Sequence, residues 1–223
     1  MSHQKLSGPP KFGVVVAVPR WTAGSDRVYE MPMTRETLKE TLRALELADF
    51  PLEDRDRGRM LELLEVPECF ERGCFPGHFT GSALVVSHDG ARALLHHHRF
   101  LDRWLQFGGH CDGNDDVLRV AMREAEEESG ISGLITASER PFDLDIHAIP
   151  ENPKKGEPPH EHYDVRWVFI APEGAEFIVS DESHDIRWFK PDEALAQGLD
   201  HGLQRLIEKW EKLLERRKGE QQA

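Results

Sequence analysis

Apolar residues change their period near residue 75, and that change divides the chain into two regions. Upstream the spacing is mostly helical. Leu38, Leu42 and Leu45 share one face of a helix that Thr34 can cap and that runs to about residue 49. Met60, Leu63 and Leu64 mark a second short helix over residues 55–64, and one strand is expected over 12–18. Gly73, Pro76 and Gly77 then read as a connector. Residues 1–75 are therefore expected to be a mainly helical N-terminal extension.

Downstream the period shortens to two. Runs at 80–86 and 93–98 flank His88-Asp89-Gly90, and Asp-Gly between apolar runs signals a hairpin. Residues 104–107 form a short apolar run. In 143–149, Leu144, Ile146 and Ala148 take one face while Asp143, Asp145 and His147 take the other. Residues 163–171 bring Tyr163, Val165, Trp167 and Phe169 together, and 185–189 form a last short strand. The loop at 150–162 holds four prolines with Lys154 and Lys155, and long loops in compact domains are often functional. Leu199, Leu203, Leu206, Ile207, Trp210, Leu213 and Leu214 then recur at helical spacing, as in a helix packed on a sheet. Residues 215–223 are polar and expected to fray, with 218–223 a flexible tail.

Composition narrows the functional classes. Of 223 residues, 39% are hydrophobic and 31% charged, which is ordinary for a soluble globular chain. No apolar run approaches the roughly 20 residues that span a bilayer, and no secretory signal is recognisable, so no membrane partner and a cytoplasmic location are expected. The net charge of −13 repels a nucleic-acid backbone, so no nucleic-acid partner is expected. It would equally repel a free polyphosphate unless a divalent cation mediates. Cys69, Cys74 and Cys111 form no CxxC pair and are expected as reduced thiols.

The chemistry concentrates between residues 109 and 131. Asp115 or Asp116 can cap a helix that Gly130 ends, and Val117, Ala121 and Ala125 give that helix a small apolar face. Glu124, Glu127 and Glu128 fall at i, i+3 and i+4, so three like charges converge on another face. Oxygen ligands gathered on one rigid element suit Mg2+ or Mn2+. A solvated acidic helix would account for the carboxylates alone, but not for the glycine fourteen positions before Arg123.

With that glycine included, the segment resembles the Nudix box. Eight of its nine defined positions match: Gly109, Arg123, Glu124, Ala125, Glu127, Glu128, Gly130 and Ile131. Asp115 stands where the family usually has glutamate, and Phe107 stands where many members have proline. The likeness extends over about residues 77–195, because strands flank the box and Glu182 precedes Arg187-Trp188-Phe189. It implies an α/β (α+β) fold, an α/β/α sandwich on a mixed sheet, with the Nudix domain at 76–217 after the helical extension.

The resemblance also implies roles. Glu124, Glu127 and Glu128, with the backbone carbonyl of Gly109, would bind Mg2+ or Mn2+, and Arg123 would hold the glutamates in register. Water would attack phosphorus in a diphosphate linkage of a nucleoside diphosphate bound to another moiety, with Glu128 or Glu182 as general base. Lys154, Lys155, His160 and His162 are candidates for substrate contact. His160 and His162 lie two apart and share a face, but the sequence offers no obvious third ligand. His96-His97-His98 alternates across a strand, a poor single metal site. Nudix-fold isopentenyl diphosphate isomerases use a cysteine, but their cysteine-containing segment is not recognisable here, so Cys111 is not read as catalytic. The alternative reading is a non-catalytic Nudix-like nucleotide-metabolite sensor, although such domains often lose box glutamates that this chain keeps. A homodimer built through the extension is the remaining expectation.

Overall fold

The computed structural model describes residues 32–45, 51–154 and 156–221. The strand expected over 12–18 and Lys155 lie outside the described residues, whereas the first helix, expected to run to about residue 49, ends at Ala44, where Leu45 turns extended.

Two helices come first, α1 (Arg35–Ala44) and α2 (Pro51–Leu63). Thr34 caps α1 by accepting from the Thr37 amide, as its place before the apolar repeat implies. The second helix starts four residues earlier than the period suggests, at a proline, which suits a first helical turn.

An eight-stranded mixed sheet follows, made of β1 (Gly77–Val86), β2 (Ala93–His98), β3 (Arg103–Leu105), β4 (Phe107–His110), β5 (Ile135–Thr136), β6 (Asp143–Ile149), β7 (His160–Ile170) and β8 (Ser183–Phe189). Between β4 and β5 runs α3 (Val117–Ser129), and α4 (Pro191–Leu195) and α5 (His201–Gln221) close the chain. The central pair, β1 and β7, is parallel with Gly77 opposite Glu161, and every other pairing is antiparallel. The hairpin at Asp89-Gly90 forms, with Gly90 at φ 74.

Alternation along the strands sorts the side chains into two apolar layers. Phe79, Ala83 and Val85 of β1 join Tyr163, Val165, Trp167 and Phe169 of β7, and against them pack Leu38 and Leu42 of α1, Met60 of α2, and Val117, Ala121 and Ala125 of α3. On the reverse face, Leu84, Val86, Val168 and Ile170 meet Leu203, Leu206, Ile207 and Trp210 of α5. The helices of the N-terminal extension thus share a core with α3. The segment 218–221, expected within a flexible tail, is instead the last turn of α5. No helix among the described residues is long and apolar enough to cross a membrane.

The reverse face turns polar toward the start of β7. There Arg166 meets Asp143, Asp145 and Asp164 at 3.2, 2.8 and 2.6 Å, while Arg205 reaches Asp143 at 2.8 Å and Asp145 at 3.1 Å. Lys209 bridges Asp143 and Glu53 of α2 at 3.1 and 2.6 Å. Thr80 and Ser82 donate to Asp164. The sequence does not reveal this network, because its members come from five separate elements, α2, β1, β6, β7 and α5.

Candidate active site

The seating of α3 depends on small residues. A Cβ at Gly81 would lie 2.6 Å from the Val117 carbonyl oxygen and 3.0 Å from the Ala121 amide nitrogen, so the helix rests on bare β1 backbone. Asp116, rather than Asp115, is the N-cap and accepts from the Arg119 amide at 3.1 Å. Asp115 instead accepts from the Arg35 amide at 3.2 Å, which ties the first turn of α1 to the loop before α3. Gly130 ends the helix in the left-handed conformation at φ 71.

This seating brings the box carboxylates to β4. Glu128 is 9% exposed, and its Oε2 accepts from the Gly108 amide at 3.2 Å. Glu124 lies against Gly109 so closely that a Cβ there would fall 2.5 Å from its carboxyl carbon. Any larger residue at 109 would displace the carboxylate. Arg123 pairs with Glu124 at 2.7 Å and with the exposed Glu127 at 3.4 Å, holding two of the three glutamates in register. Glu126, the member of the acidic run outside the box pattern, accepts from the Gly133 amide instead.

Electrostatics single out the same group. Burial pushes Glu128 up to about 8, against the Gly108 hydrogen bond and with the charges of Glu124, Glu182 and Glu127 adding to the rise. Glu124 is also raised, first by burial, with Arg123 opposing and Glu127 and Glu182 reinforcing. Glu182 therefore belongs electrostatically to this cluster, although it sits in the loop before β8, where its carbonyl accepts from the Arg99 amide. Glu128 and the half-buried Glu124 thus lie against β4, with the exposed Glu127 beside them and Glu182 within electrostatic reach, oxygen donors of the kind a hard divalent ion takes.

The remaining candidates are placed as follows. Lys154 is exposed in a turn closed by the Asn152–Glu157 bridge. His160 and His162 do share a face, and the third histidine that the sequence did not offer is His78 of β1, opposite His162 in the parallel register. Its ring centroid is 5.1 Å from that of His160 and 5.0 Å from that of His162, while His110 lies 4.9 Å from His162 and His147 5.5 Å from it. Burial lowers His78, holds His110 down to about 4 and His162 to about 2, so these rings are neutral at physiological pH. His78 escaped notice because it precedes the expected start of β1 at residue 80. Its two-residue offset from Thr80 was the available signal.

His96 and His97 do part to separate surroundings. His96 binds the Ser183 hydroxyl at 2.8 Å, whereas His97 lies against Trp104 and His184. Cys111 is buried, and burial pushes its thiol far above the ordinary range, so it is no nucleophile.

A Caenorhabditis elegans Ap4A hydrolase binary complex aligns at TM-score 0.49 and 17% identity, covering 61% of this chain and 96% of that one. The Escherichia coli dihydroneopterin triphosphate pyrophosphohydrolase aligns at 0.47 and 18%, covering 59% and 92%. A NUDIX family hydrolase from Clostridium perfringens aligns at 0.44 and 22%, covering 61% and 97%. No curated protein matches the chain. The family model described as the NUDIX domain matches residues 78–210, well over half of the sequence and reaching from β1 into α5. The chain belongs to the NUDIX domain family.

Proposed function

We propose that the protein is a metal-dependent hydrolase of diphosphate linkages in nucleotide-type substrates. The observation that carries this reading is the seating of the box helix on β4, where the buried Glu128 accepts from the Gly108 amide, Glu124 lies against Gly109, and Glu127 stands on the same helix face. An uncompensated gathering of carboxylates costs free energy unless a cation joins it. Glu124, Glu127 and Glu128, with the Gly109 carbonyl, would hold Mg2+ or Mn2+. When bound, the metal supplies charge neutralisation on the phosphate oxygens and acidifies a water molecule.

The chain's own residues do the rest. Arg123 orients Glu124 and Glu127. A carboxylate accepts the proton of the attacking water, and the base is assigned to Glu128, with Glu182 the second candidate. Water oxygen bonds to phosphorus, the bridging P–O bond breaks, and the electron pair leaves with the departing phosphate. Lys154, Lys155, His160 and His162 remain the candidates for substrate contact.

The test is a panel of nucleoside diphosphate derivatives and triphosphates, incubated with Mg2+, Mn2+ or EDTA. Products would be resolved by anion exchange after hydrolysis in 18O-water. Metal-dependent cleavage with 18O in a phosphate product is expected. Tight nucleotide binding with no turnover under any metal would replace the hydrolase with a sensor.

A further inference from the structure

We propose that His78, His160 and His162 form a second metal site, suited to Zn2+ and separate from the carboxylates of α3. One ligand atom from each of the three residues lies within 4.8 Å of the other two. Parallel pairing of β1 and β7 sets His78 opposite His162, and His160 follows on the same face of β7 two residues before it. The inference does not depend on the hydrolase reading.

Hydrogen bonds decide which atoms converge. His78 Nδ1 lies 3.4 Å from the Cys74 carbonyl oxygen, and His160 Nδ1 lies 2.8 Å from that of Pro158. A carbonyl oxygen only accepts, so each Nδ1 carries the ring proton and each Nε2 keeps its lone pair. Metal-binding histidines are oriented in this way by a carbonyl or carboxylate behind the ring.

Two of the three rings present an Nε2 with no partner within the protein. His78 is 1% exposed, and Nε2 of both His78 and His162 is buried without a hydrogen-bond partner. These are two of only three such side-chain atoms among the described residues, the third being Oε2 of Glu53. Leaving a buried polar atom unpaired costs about 1–3 kcal/mol. The neighbouring polar groups on the same sheet face are partnered, since Thr80 and Ser82 donate to Asp164 and His147 binds Asp145 at 2.9 Å. A histidine cluster that served packing alone would not confine its orphans to the atoms that point together.

Donor chemistry separates this site from the first. Neutral imidazoles suit Zn2+ and its late-transition neighbours, whereas Mg2+ and Mn2+ favour oxygen. In a tetrahedral site with Zn–N near 2.0–2.1 Å, ligand nitrogens stand about 3.3 Å apart, so the three rings would draw together by at most about 1.5 Å. Three protein ligands leave a fourth position for water or an oxyanion. His110 borders the cluster, with its centroid 5.2 Å from that of His78, and it directly follows Gly109 on β4. The two sites are thus neighbours along one strand.

The experiment uses the full chain, stripped with chelator and carrying Glu124→Gln, Glu127→Gln and Glu128→Gln so that α3 no longer competes for metal. Calorimetric titration with Zn2+ is expected to give one ion per chain, unaffected by millimolar Mg2+. Co2+ in its place is expected to give the visible absorption of a low-coordinate nitrogen site, in this variant and in the wild-type chain alike. Adding His162→Gln or His160→Asn should abolish both signals. It should also remove the Zn2+-induced rise in Tm, about 5–10 °C at a hundredfold excess over Kd, with circular dichroism reporting the fold. Substoichiometric Zn2+ uptake, or an unchanged Co2+ spectrum in folded histidine variants, would overturn the site. If both histidine variants fail to fold, absence of the Co2+ band in the wild-type chain would overturn it by itself.

Discussion

The protein holds two gatherings of carboxylates that differ in what balances them. Glu53, Asp143, Asp145 and Asp164 are interleaved with Arg166, Arg205 and Lys209, four acids against three bases. Burial works to raise Asp145, but the hydrogen bond from His147 and the charges of Arg166 and Arg205 hold it well below the carboxylate range. Glu53 takes up the imbalance, raised by burial and by the Asp143 charge to about 7 despite Lys209 and Arg205. At the box, Arg123 pairs with Glu124 and Glu127, and burial with the charges of Glu124, Glu182 and Glu127 raises Glu128 to about 8. A balanced cluster pins elements together. The box cluster carries the larger excess of acids over bases.

This contrast can be broken most sharply at the box. Glu127→Gln or Glu128→Gln is expected to lower metal-dependent kcat by about a thousandfold or more, since several kcal/mol of charge stabilisation is lost. Thermal melting should stay near the wild-type value. Steady-state kinetics beside a melting curve checks both halves, and unchanged turnover in both variants would refute the assigned roles. The balanced network should answer the other way. Arg166→Leu takes from buried Asp164 its cationic partner and from Asp143 and Asp145 one of theirs, and is expected to cost about 3–5 kcal/mol, lowering Tm by roughly 6–20 °C. Calorimetric melting measures it, and a Tm within about a degree of wild type would mean that the network does not hold the fold.

Arg123→Ala should fall between these, weakening Mn2+ binding about ten- to a hundredfold with little change in Tm. A metal titration followed by melting separates the two effects, and equal loss in both would make Arg123 a structural residue. The smallest effect expected is in pH. Glu53 binds its proton more tightly in the folded chain than in the unfolded one. Its contribution to stability is therefore full below about 4.5 and is lost as pH rises toward about 7. Glu53→Gln should flatten that part of the Tm profile, and parallel wild-type and variant profiles would contradict the assignment.

Much of this was legible in the sequence, for reasons that differ by region. The box could be read because its requirements are local. The glycine turn, the N-cap and the i, i+3, i+4 glutamates all lie within one stretch of chain, whereas the supports under α3, such as Gly81, are remote from it. Strand periods located β2 and β6 to the residue, where apolar and polar positions alternate or switch cleanly. The early start of β1 was hidden, because Gly77, His78 and Phe79 follow a proline and read as a connector. That concealment cost the third histidine. The buried ion network was illegible for a different reason. Glu53, Asp143, Arg166 and Lys209 are ordinary charges in sequence, and only the packing of α2 and α5 against β6 and β7 makes them one group.

The account stands on the carboxylates of α3 enclosing a divalent cation beside Gly109. Electron paramagnetic resonance of Mn2+ titrated into the wild-type chain and into Glu124→Gln/Glu128→Gln tests this most directly. Saturable binding in the wild type that tracks hydrolysis, and is lost in the double variant, is the predicted result. Mn2+ that binds both chains alike, or hydrolysis that continues undiminished in EDTA, would contradict it.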